Sequence, residues 1–313
     1  MNLKFNCPFM TINFKRPFVQ WITLILLALT WGSSFILMKK GLIYYAPEEV
    51  AAFRISIAML VLLPISLANL KSIKGKVLPV FATGLFGNAI PAFLFAIAQT
   101  EIPSSLSGML NSLTSLFTLL IGIVFFKTAA VRFQIIGVLI ALVGALGLIG
   151  FGNLLDFGIH GKYAVLVIIA SGCYGIGVNI IKFYLHDIKP THITSISFLM
   201  VGPLLLLYLL MGTDFMAHIN EGHDALIGLG YLAVLGVIGT AIAVIIFNRL
   251  IKETTAVFAS SVTYLIPVVA LGWGLIDGEN ITLDQSLYLL LILGGIFLIN
   301  SGAPGRLINR LFR

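Results

Sequence analysis

Hydrophobic residues in this chain form long, almost uninterrupted runs, and the charged residues fall mostly in the short breaks between them. About 20 apolar residues are enough to cross the hydrocarbon core of a bilayer as a helix. Within that core every backbone N–H and C=O must be paired inside the protein, so such runs are predicted to be helices. The pattern predicts ten of them, at Val19–Met38, Glu48–Asn69, Val77–Gln99, Ser104–Phe126, Val131–Phe151, Lys162–Leu185, Thr191–Met211, Ala225–Asn248, Thr254–Ile276 and Asp284–Gly302.

The composition agrees with a surface that faces lipid. Hydrophobic residues make up 59% of the 313 residues and charged residues only 10%, against about 25% charged in a typical soluble domain. The net charge of +7 suggests nucleic acid as a possible partner. However, the chain has too few polar residues to form a broad basic face. We therefore predict an all-α polytopic membrane protein that contacts the lipid bilayer and binds no nucleic acid.

The basic residues in the loops indicate how the helices are oriented. Cytoplasmic loops carry an excess of Lys and Arg, and here the basic loops alternate with acidic ones. The asymmetry predicts cytoplasmic N- and C-termini and thus an even number of spans, although Lys39 and Lys40 lie on the opposite side as exceptions. The basic positions on the predicted cytoplasmic side are Lys4, Lys15, Arg16, Lys71, Lys74, Lys76, Lys127, Arg132, Arg306, Arg310 and Arg313.

The chain also repeats itself at two nearly equal offsets. Trp31, Gly32 and Lys39 recur 143 residues later, with an aromatic residue in place of the Trp, as Tyr174, Gly175 and Lys182. At an offset of 152 residues, a second set of matches pairs Gly87, Glu101 and Gly122 with Gly239, Glu253 and Gly274. Since each half has an odd number of predicted spans, the second half enters the membrane inverted. Inverted repeats are a recurrent plan of secondary transporters, whose solute site lies at the midplane between the halves.

Three stretches of sequence resemble the EamA-type members of the drug/metabolite transporter superfamily. The first span contains Leu29-Thr30-Trp31-Gly32-Ser33-Ser34-Phe35, which is similar to the family's opening motif. Pro47 followed by Ala51-Ala52-Phe53-Arg54 resembles the start of its second span. Pro267, Gly274 and Glu279 stand where the family's ninth span keeps a Pro, a Gly and a terminal Glu. The resemblance covers roughly residues 20–302.

This resemblance implies ten spans in two inverted five-helix repeats. The repeats enclose a central cavity lined by spans 1, 3 and 4 and by spans 6, 8 and 9. It further implies export or exchange of metabolites, amino acids or drugs by alternating access, and a place in a bacterial inner membrane. The expected organisation is a tail at 1–18, repeats at 19–151 and 162–302, a linker at 152–161 and a second tail at 303–313.

The chain departs from the family pattern at three positions. Ser115 and Lys127 occupy the first-half slots that correspond to Pro267 and Glu279, and Tyr174 replaces a Trp in the second half. The first half therefore lacks the acidic end of the family motif.

Arg54 is the one ionisable residue that the predicted spans place clearly inside a helix. A charge within a bilayer is costly, so it is expected to face a partner or water. One interpretation is a binding group for an anionic part of a substrate. The other is a packing or gating contact with Glu48, Glu49 or a backbone carbonyl.

The other candidate substrate-binding residues are aromatic or uncharged polar groups in the spans. Trp31 and Tyr174 occupy matching positions, and their rings could stack on an apolar or cationic solute or simply pack between helices. Polar side chains could bind a solute or tie helices together. These polar candidates are Ser33, Ser34, Asn88, Asn111, Asn179 and Tyr264.

The ionisable residues bear on how transport is driven. All twelve carboxylates fall in loops or at span ends, whereas proton-driven pumps usually keep an acid or a His at depth. We therefore predict a facilitator or exchanger of a small-molecule solute, a prediction that depends on Glu101 and Glu253 lying at span ends. No cofactor and no metal site is predicted, and the sequence leaves open whether the protein is a monomer or a homodimer.

One alternative is a membrane-embedded enzyme that acts on lipid-linked substrates. It would need acid, base or metal groups gathered at one membrane face. The nearest such cluster is Asp277, Glu279 and Asp284, which we interpret as a solvated turn, so the chain is not predicted to be an enzyme. Met10 could serve as the start of the chain in place of Met1.

Overall fold

The structure is a computed structural model of the chain. It describes residues 14, 16–128, 131–149, 159–220, 222–254, 258–259 and 261–301. These residues form helices joined by turns and short connections, and no strand occurs among them. The prediction of an all-helical chain is therefore confirmed for this part. The two possible start residues, most of both predicted tails and most of the linker lie outside the described residues.

The longer helices follow the hydrophobic runs of the sequence, and we number them in chain order. Two stretches differ most from the prediction: α8 continues beyond Asn248 to Glu253, and α9 begins later, after a 3-10 turn at Ser261–Tyr264. A short helix, Phe215–Ile219, lies between α7 and α8. The helices are α1 Pro17–Gly41, α2 Pro47–Asn69, α3 Val77–Ala98, α4 Ser104–Phe126, α5 Arg132–Ile149, α6 Ile159–Tyr184, α7 Pro190–Met211, α8 His223–Glu253, α9 Ile266–Ile276 and α10 Leu283–Ser301.

Seven stretches of the described chain are long and apolar enough to cross a membrane: α1, α2 with the turn after it, α3, α4, α6, α7 and α8. Three shorter apolar stretches belong to α5, α9 and α10, at Arg132–Gly147, Val262–Ile276 and Leu283–Ile299. Large apolar side chains on the outer faces, such as Leu78, Phe125 and Leu204, are exposed, as a lipid-facing surface requires.

Helix packing follows the same pattern in both halves of the chain. The helix α1 packs against α8 and α9, and correspondingly α6 packs against α3 and α4. Three other pairs, α2 with α7, α4 with α9 and α5 with α10, join equivalent helices of the two halves. Exchanging the first five helices with the last five leaves this set of contacts unchanged.

The crossing of α5 and α10 depends on glycine. A Cβ on Gly295 would lie 2.5 Å from the carbonyl oxygen of Gly137 and 2.6 Å from the backbone nitrogen of Ala141. Only a residue without a side chain allows the two backbones to approach so closely, which is a common basis for helix association in membranes.

Two helices contain π-helical segments at equivalent positions. They lie at Leu85–Ala89 in α3 and at Val237–Ile242 in α8. In each segment a polar side chain bonds the carbonyl oxygen five residues earlier: Asn88 Nδ2 bonds Thr83 O at 3.3 Å, and Thr240 Oγ1 bonds Leu235 O at 3.0 Å. π-Helical turns are rare and occur frequently at functional sites.

Candidate functional site

A cavity lies between the helices of the two halves. Side chains of α1, α2, α3, α4, α6, α8 and the start of α9 line it, and both π-helical segments contribute to its wall. The cavity has a volume of about 100 Å³, whereas a single buried water molecule needs about 10–15 Å³. The cavity therefore has room for a cluster of waters or for a small organic solute.

The structure brings together six of the nine candidate residues predicted from the sequence. All six line the cavity, although they come from α1, α2, α3, α4 and α6 and are separated by up to 143 positions in the chain. They are Trp31, Ser34, Arg54, Asn88, Asn111 and Tyr174.

Arg54 lies in the cavity wall, two turns from the start of α2. Its Nε donates a 2.6 Å hydrogen bond to Oγ1 of Thr240 in α8. Tyr174 of α6 is its second side-chain partner. Only 9% of the residue's surface is exposed, so the guanidinium is buried against two neutral hydroxyl groups.

The proposed packing partner Glu49 is bonded elsewhere. Its carboxylate accepts a 3.0 Å hydrogen bond from the backbone N–H of Ala46 and lies 2.9 Å from Nδ1 of His218. Among the described residues, the ion pairs do not include Arg54. The contacts of Arg54 are thus with hydroxyl groups from the other half of the chain.

Trp31 is held by the π-helical segment of α8. Its Nε1 donates a 2.8 Å hydrogen bond to the carbonyl oxygen of Gly239, and its ring meets that of Phe247 edge-on with centroids 4.9 Å apart. A Cβ on Gly239 would lie 2.9 Å from Oγ of Ser34. Glycine at this position therefore lets α1 approach α8 closely enough for the Trp31 bond.

Aromatic rings form a second part of the wall. Phe95 of α3 lies between Phe35, whose ring meets it edge-on at 5.6 Å, and Tyr174, whose ring stacks on it at 5.9 Å. The apolar surface next to the polar groups suits a solute that has one polar end and one apolar end.

Two amide side chains complete the polar lining. Asn88 donates to Thr83 O through Nδ2, and Oδ1 of Asn111 accepts a 3.4 Å hydrogen bond from Thr114. Both are almost fully buried, and each retains hydrogen-bonding capacity toward the cavity because an amide has two donors and two lone pairs.

The other three candidates lie outside the cavity lining and bond to other parts of the protein. Ser33 accepts a 2.8 Å hydrogen bond from Nε1 of Trp273. Asn179 donates to the carbonyl oxygens of Thr118 at 2.9 Å and Gly175 at 2.8 Å. The hydroxyl of Tyr264 donates to Ile296 O at 3.1 Å. These contacts match the alternative interpretation, in which polar groups tie helices together.

Several residues in the lining were not predicted as candidates. Thr240, Thr263 and Phe247 line the cavity together with their partners at the 152-residue offset, Asn88, Asn111 and Phe95. The internal repeat is thus the sequence signal that could have found them. Asn248 also lines the cavity and bonds Oγ1 of Thr194 at 2.8 Å.

One end of the helix bundle is held together by charged residues, and we call it the Glu279 face. Lys39 Nζ, at the end of α1, lies 2.7 Å from Glu279 and 2.7 Å from Asp277. Lys40 pairs with Asp277 at 2.5 Å. Glu279 also accepts hydrogen bonds from both Ser104 and Ser105 at the start of α4.

The interpretation of Asp277 and Glu279 as a solvated turn is therefore wrong. Their side chains are only 15% and 6% exposed, because Lys39 and Lys40 pair with Asp277 while Lys39 and the first turn of α4 enclose Glu279. Burial acts to raise the pKa of Glu279, but hydrogen bonds from Lys39, Ser105 and Ser104 outweigh it and lower the pKa to about 2. The same pairing explains why Lys39 and Lys40 stand on the acidic side of the protein.

The opposite end, which we call the Lys182 face, is joined differently. Lys182, the counterpart of Lys39, donates to the backbone carbonyl oxygens of Ile251 at 3.0 Å and of Thr254. The position that corresponds to Glu279 holds Lys127, so this face cannot form the same ion pair. Among the described residues, the helix ends of the two faces are thus joined by different chemistry.

The carboxylates of the described residues lie away from the cavity. None of the described lining residues is Asp or Glu. Glu101 and Glu253 are both exposed at helix ends, where the sequence had placed them. Arg54 is therefore the one charged side chain in the described lining.

A comparison with known families matches nearly the whole chain. The sequence pattern of the EamA-like transporter family fits residues 20–150 and fits again at residues 161–301. The chain belongs to the EamA-like transporter family. The resemblance seen in the first, second and ninth spans is thereby confirmed.

Full-length relatives carry transporter names. An uncharacterized transporter of Archaeoglobus fulgidus is 26% identical over 284 residues, which cover 90% of this chain and 98% of the relative. The uncharacterized inner membrane transporter YedA of Escherichia coli K12 is 28% identical, with 93% and 94% covered. A protein of Salmonella typhimurium named as a probable amino-acid metabolite efflux pump is 25% identical, with 88% and 92% covered.

A solved crystal structure shares the fold. It aligns with a TM-score of 0.65 at 15% sequence identity and covers 93% of this chain and 100% of the other. Together with the apolar helices and the family match, the relatives identify the chain as an integral membrane protein and a membrane transporter.

Proposed function

We propose that this chain is a secondary transporter that moves small metabolites, amino acids or drugs across the membrane by alternating access, in the direction of export or as an exchanger. The observation that carries the proposal is the cavity between the two halves. Its wall contains pairs of residues from equivalent positions, such as Asn88 with Thr240 and Asn111 with Thr263. A site built from both halves changes its exposure when one half moves against the other, which is how inverted-repeat transporters work.

The proposal includes ten spans arranged as two inverted five-helix repeats, at 19–151 and 162–302. Two features support it: the family pattern matches twice, and the helix contacts keep their pattern when the halves are exchanged. The paired π-helical segments of α3 and α8 agree with it as well. On this arrangement the two termini are cytoplasmic, the membrane is a bacterial inner membrane, and the Glu279 face is the outer one.

The substrate-binding residues we propose are those that line the cavity. Trp31, Phe35, Phe95 and Phe247 offer apolar and aromatic surface, and the polar groups that accompany them offer hydrogen bonds. The polar members are Ser34, Arg54, Asn88, Asn111, Tyr174 and Thr240. The relative named as an amino-acid metabolite efflux pump makes amino acids and their derivatives the first solutes to test.

We further propose that transport runs down the gradient of the solute, or of a solute exchanged for it. The described cavity lining contains no carboxylate and no histidine that could relay a proton at depth. The alternative function, a membrane-embedded enzyme for lipid-linked substrates, has no support from the relatives. Two of the three acids it would use, Asp277 and Glu279, are held in ion pairs at the Glu279 face.

The test is uptake of a radiolabelled mixture of amino acids and small metabolites into liposomes that contain the purified protein. Protein-free liposomes and liposomes with heat-denatured protein serve as controls. We expect saturable uptake of one solute class by the folded protein alone. Absence of uptake of every solute by protein shown to be folded and inserted would contradict the proposed function.

A further inference from the structure

The guanidinium of Arg54 is a buried charge with neutral neighbours. Its partners are the hydroxyl groups of Thr240, at 2.6 Å from Nε, and of Tyr174. The ion pairs of the described residues leave it out. A buried charge is stable only when it is paired and hydrogen-bonded, so the cavity next to it is a favourable place for an anion.

The hydrogen-bond donors of Arg54 are not used up by its two partners. A guanidinium has five N–H donors in a planar fork, and the N–H on Nε points to Thr240. Among the described residues Tyr174 is the one further side-chain partner, so terminal N–H groups remain in the wall of the cavity. Two parallel N–H groups of this kind match the two oxygens of a carboxylate.

The charge belongs to one half of the protein only. Both α2 and α7 begin with a proline, Pro47 and Pro190, and this register pairs Arg54 with Ser197. Ser197 is fully buried and donates to Thr194 O at 2.9 Å. Among the described residues that line the cavity, Arg54 is thus the single cationic one, and the equivalent residue of the other half, Ser197, carries no charge.

The apolar rings lie on the same cavity as the charge. Phe95 stacks on Tyr174, which is itself a partner of Arg54, and Phe35 meets the ring of Phe95 edge-on. A solute whose anionic group bonds Arg54 would therefore place its remainder against aromatic side chains.

We propose that Arg54 binds the carboxylate of the transported solute and that the substrates are small monocarboxylates with an apolar or aromatic remainder. Thr240 and Tyr174 hold the guanidinium in place from the other half of the protein. The proposal rests on the proposed transport function and names the substrate class of the same cavity.

The test compares acids with the corresponding amides, which lack the carboxylate. Liposomes containing the wild-type protein receive labelled 3-phenylpropionate, 3-phenylpropionamide, phenylalanine or phenylalaninamide, and a mixed metabolite pool is run beside them. The variant Arg54→Gln removes the charge. The variant Arg54→Lys keeps the charge and removes only the planar guanidinium fork. Arg132→Gln makes the same substitution at an exposed arginine and serves as the matched control.

After uptake by protein-free liposomes is subtracted, we expect the wild type and Arg132→Gln to take up the acids at least tenfold faster than the amides. We expect Arg54→Gln to lose about tenfold or more in acid uptake, as for removal of a hydrogen bond to a charged group, with Arg54→Lys in between. Amide uptake should not fall in these variants. A separate arm measures acid uptake in the presence of chloride. If millimolar chloride abolishes acid uptake, Arg54 binds any small anion, and the carboxylate assignment is overturned.

Two further results would overturn the inference: protein-dependent uptake of the amides that is as fast as that of the acids, or protein-dependent acid uptake that survives Arg54→Gln unchanged. If Arg54→Gln does not fold, the inference is tested by acid uptake in Arg54→Lys and by the ratio of acid uptake to amide uptake in the wild type. Uptake from the mixed pool without uptake of either acid would refute the inference and leave the transport function standing, whereas no uptake of any solute would refute both.

Discussion

Arg54 and Thr240 are joined across the two halves of the protein by a 2.6 Å hydrogen bond from Nε to Oγ1. The residue in the first half supplies the charge, and the residue in the second half comes from the π-helical segment of α8. The hydroxyl of Thr240 also bonds Leu235 O at 3.0 Å, so one side chain both belongs to the π-helical turn and orients the guanidinium.

Replacement of Thr240 tests this link. Thr240→Val keeps the shape of the side chain but removes the acceptor of the bond from Arg54. Because hydrogen bonds to charged groups are worth about 1.5–3 kcal/mol, we expect solute uptake by liposomes to fall by about tenfold or more. Thr240→Ser keeps the hydroxyl and should stay close to wild type. Equal uptake by Val and Ser variants would show that the bond does not orient Arg54 for transport.

The crossing of α5 and α10 makes a prediction about stability. Gly295→Ala would place a Cβ 2.5 Å from the backbone oxygen of Gly137, and backbone atoms cannot move aside as a flexible side chain can. We expect a clear drop in the melting temperature of the purified protein. Gly294 is the matched control, since a Cβ there would meet no atom within 4 Å. Melting temperatures of the two variants that do not differ would contradict the close crossing.

The ion pairs of the Glu279 face predict how that end of the cavity opens. Glu279→Gln removes the charge that Lys39 pairs with and weakens the link among α1, α4 and the loop after α9. We expect a cysteine placed at Met38, a cavity residue, to react faster with a membrane-impermeant thiol reagent added to intact cells. The background carries serine in place of Cys7 and Cys173.

Asp284→Asn is the control for this experiment, because Asp284 is an exposed acid close to Glu279 in the chain. It should leave the labelling rate at the wild-type value. A Glu279→Gln variant that labels no faster than Asp284→Asn would show that the ion pair does not keep this face closed.

The pKa of Glu279 sets the pH range in which the pair stabilises the protein. Its hydrogen bonds lower the pKa from 4.5 to about 2, so the folded state favours the ionised form. The stabilisation is therefore complete above pH 4.5 and is lost as the pH falls toward 2. We expect the difference in melting temperature between wild type and Glu279→Gln to be equal at pH 7.5 and pH 5.5 and to shrink below pH 4.5. A difference that already disappears between pH 7.5 and 5.5 would contradict the low pKa.

The helices and the family were predictable from the sequence, but the direction in which individual side chains point was not. Membrane helices are apolar on most sides, so the hydrophobic pattern gives the length of a span but weakly defines which side faces the cavity. Ser33 and Ser34 illustrate this, because Ser34 lines the cavity and its neighbour bonds Trp273 outside the lining.

Contacts between distant parts of the chain account for the other differences. Glu279 is buried because Lys39, 240 positions earlier, and the start of α4 enclose it, and a loop sequence alone suggests a solvated carboxylate. Thr240 joins the site because the chain repeats, and the 152-residue offset that pairs it with Asn88 is the feature of the sequence that marks it.

The most direct test of the account is a counterflow experiment on liposomes loaded with an unlabelled solute that the uptake screen has identified. External labelled solute is added at equal pH on both sides, and again with an imposed pH gradient. We predict that the internal solute accelerates entry of the label without a pH gradient, because an alternating-access carrier returns loaded and the described cavity lining lacks an acid. Entry that depends strictly on the pH gradient would contradict a facilitator or exchanger, and a lack of entry under both conditions would contradict transport itself.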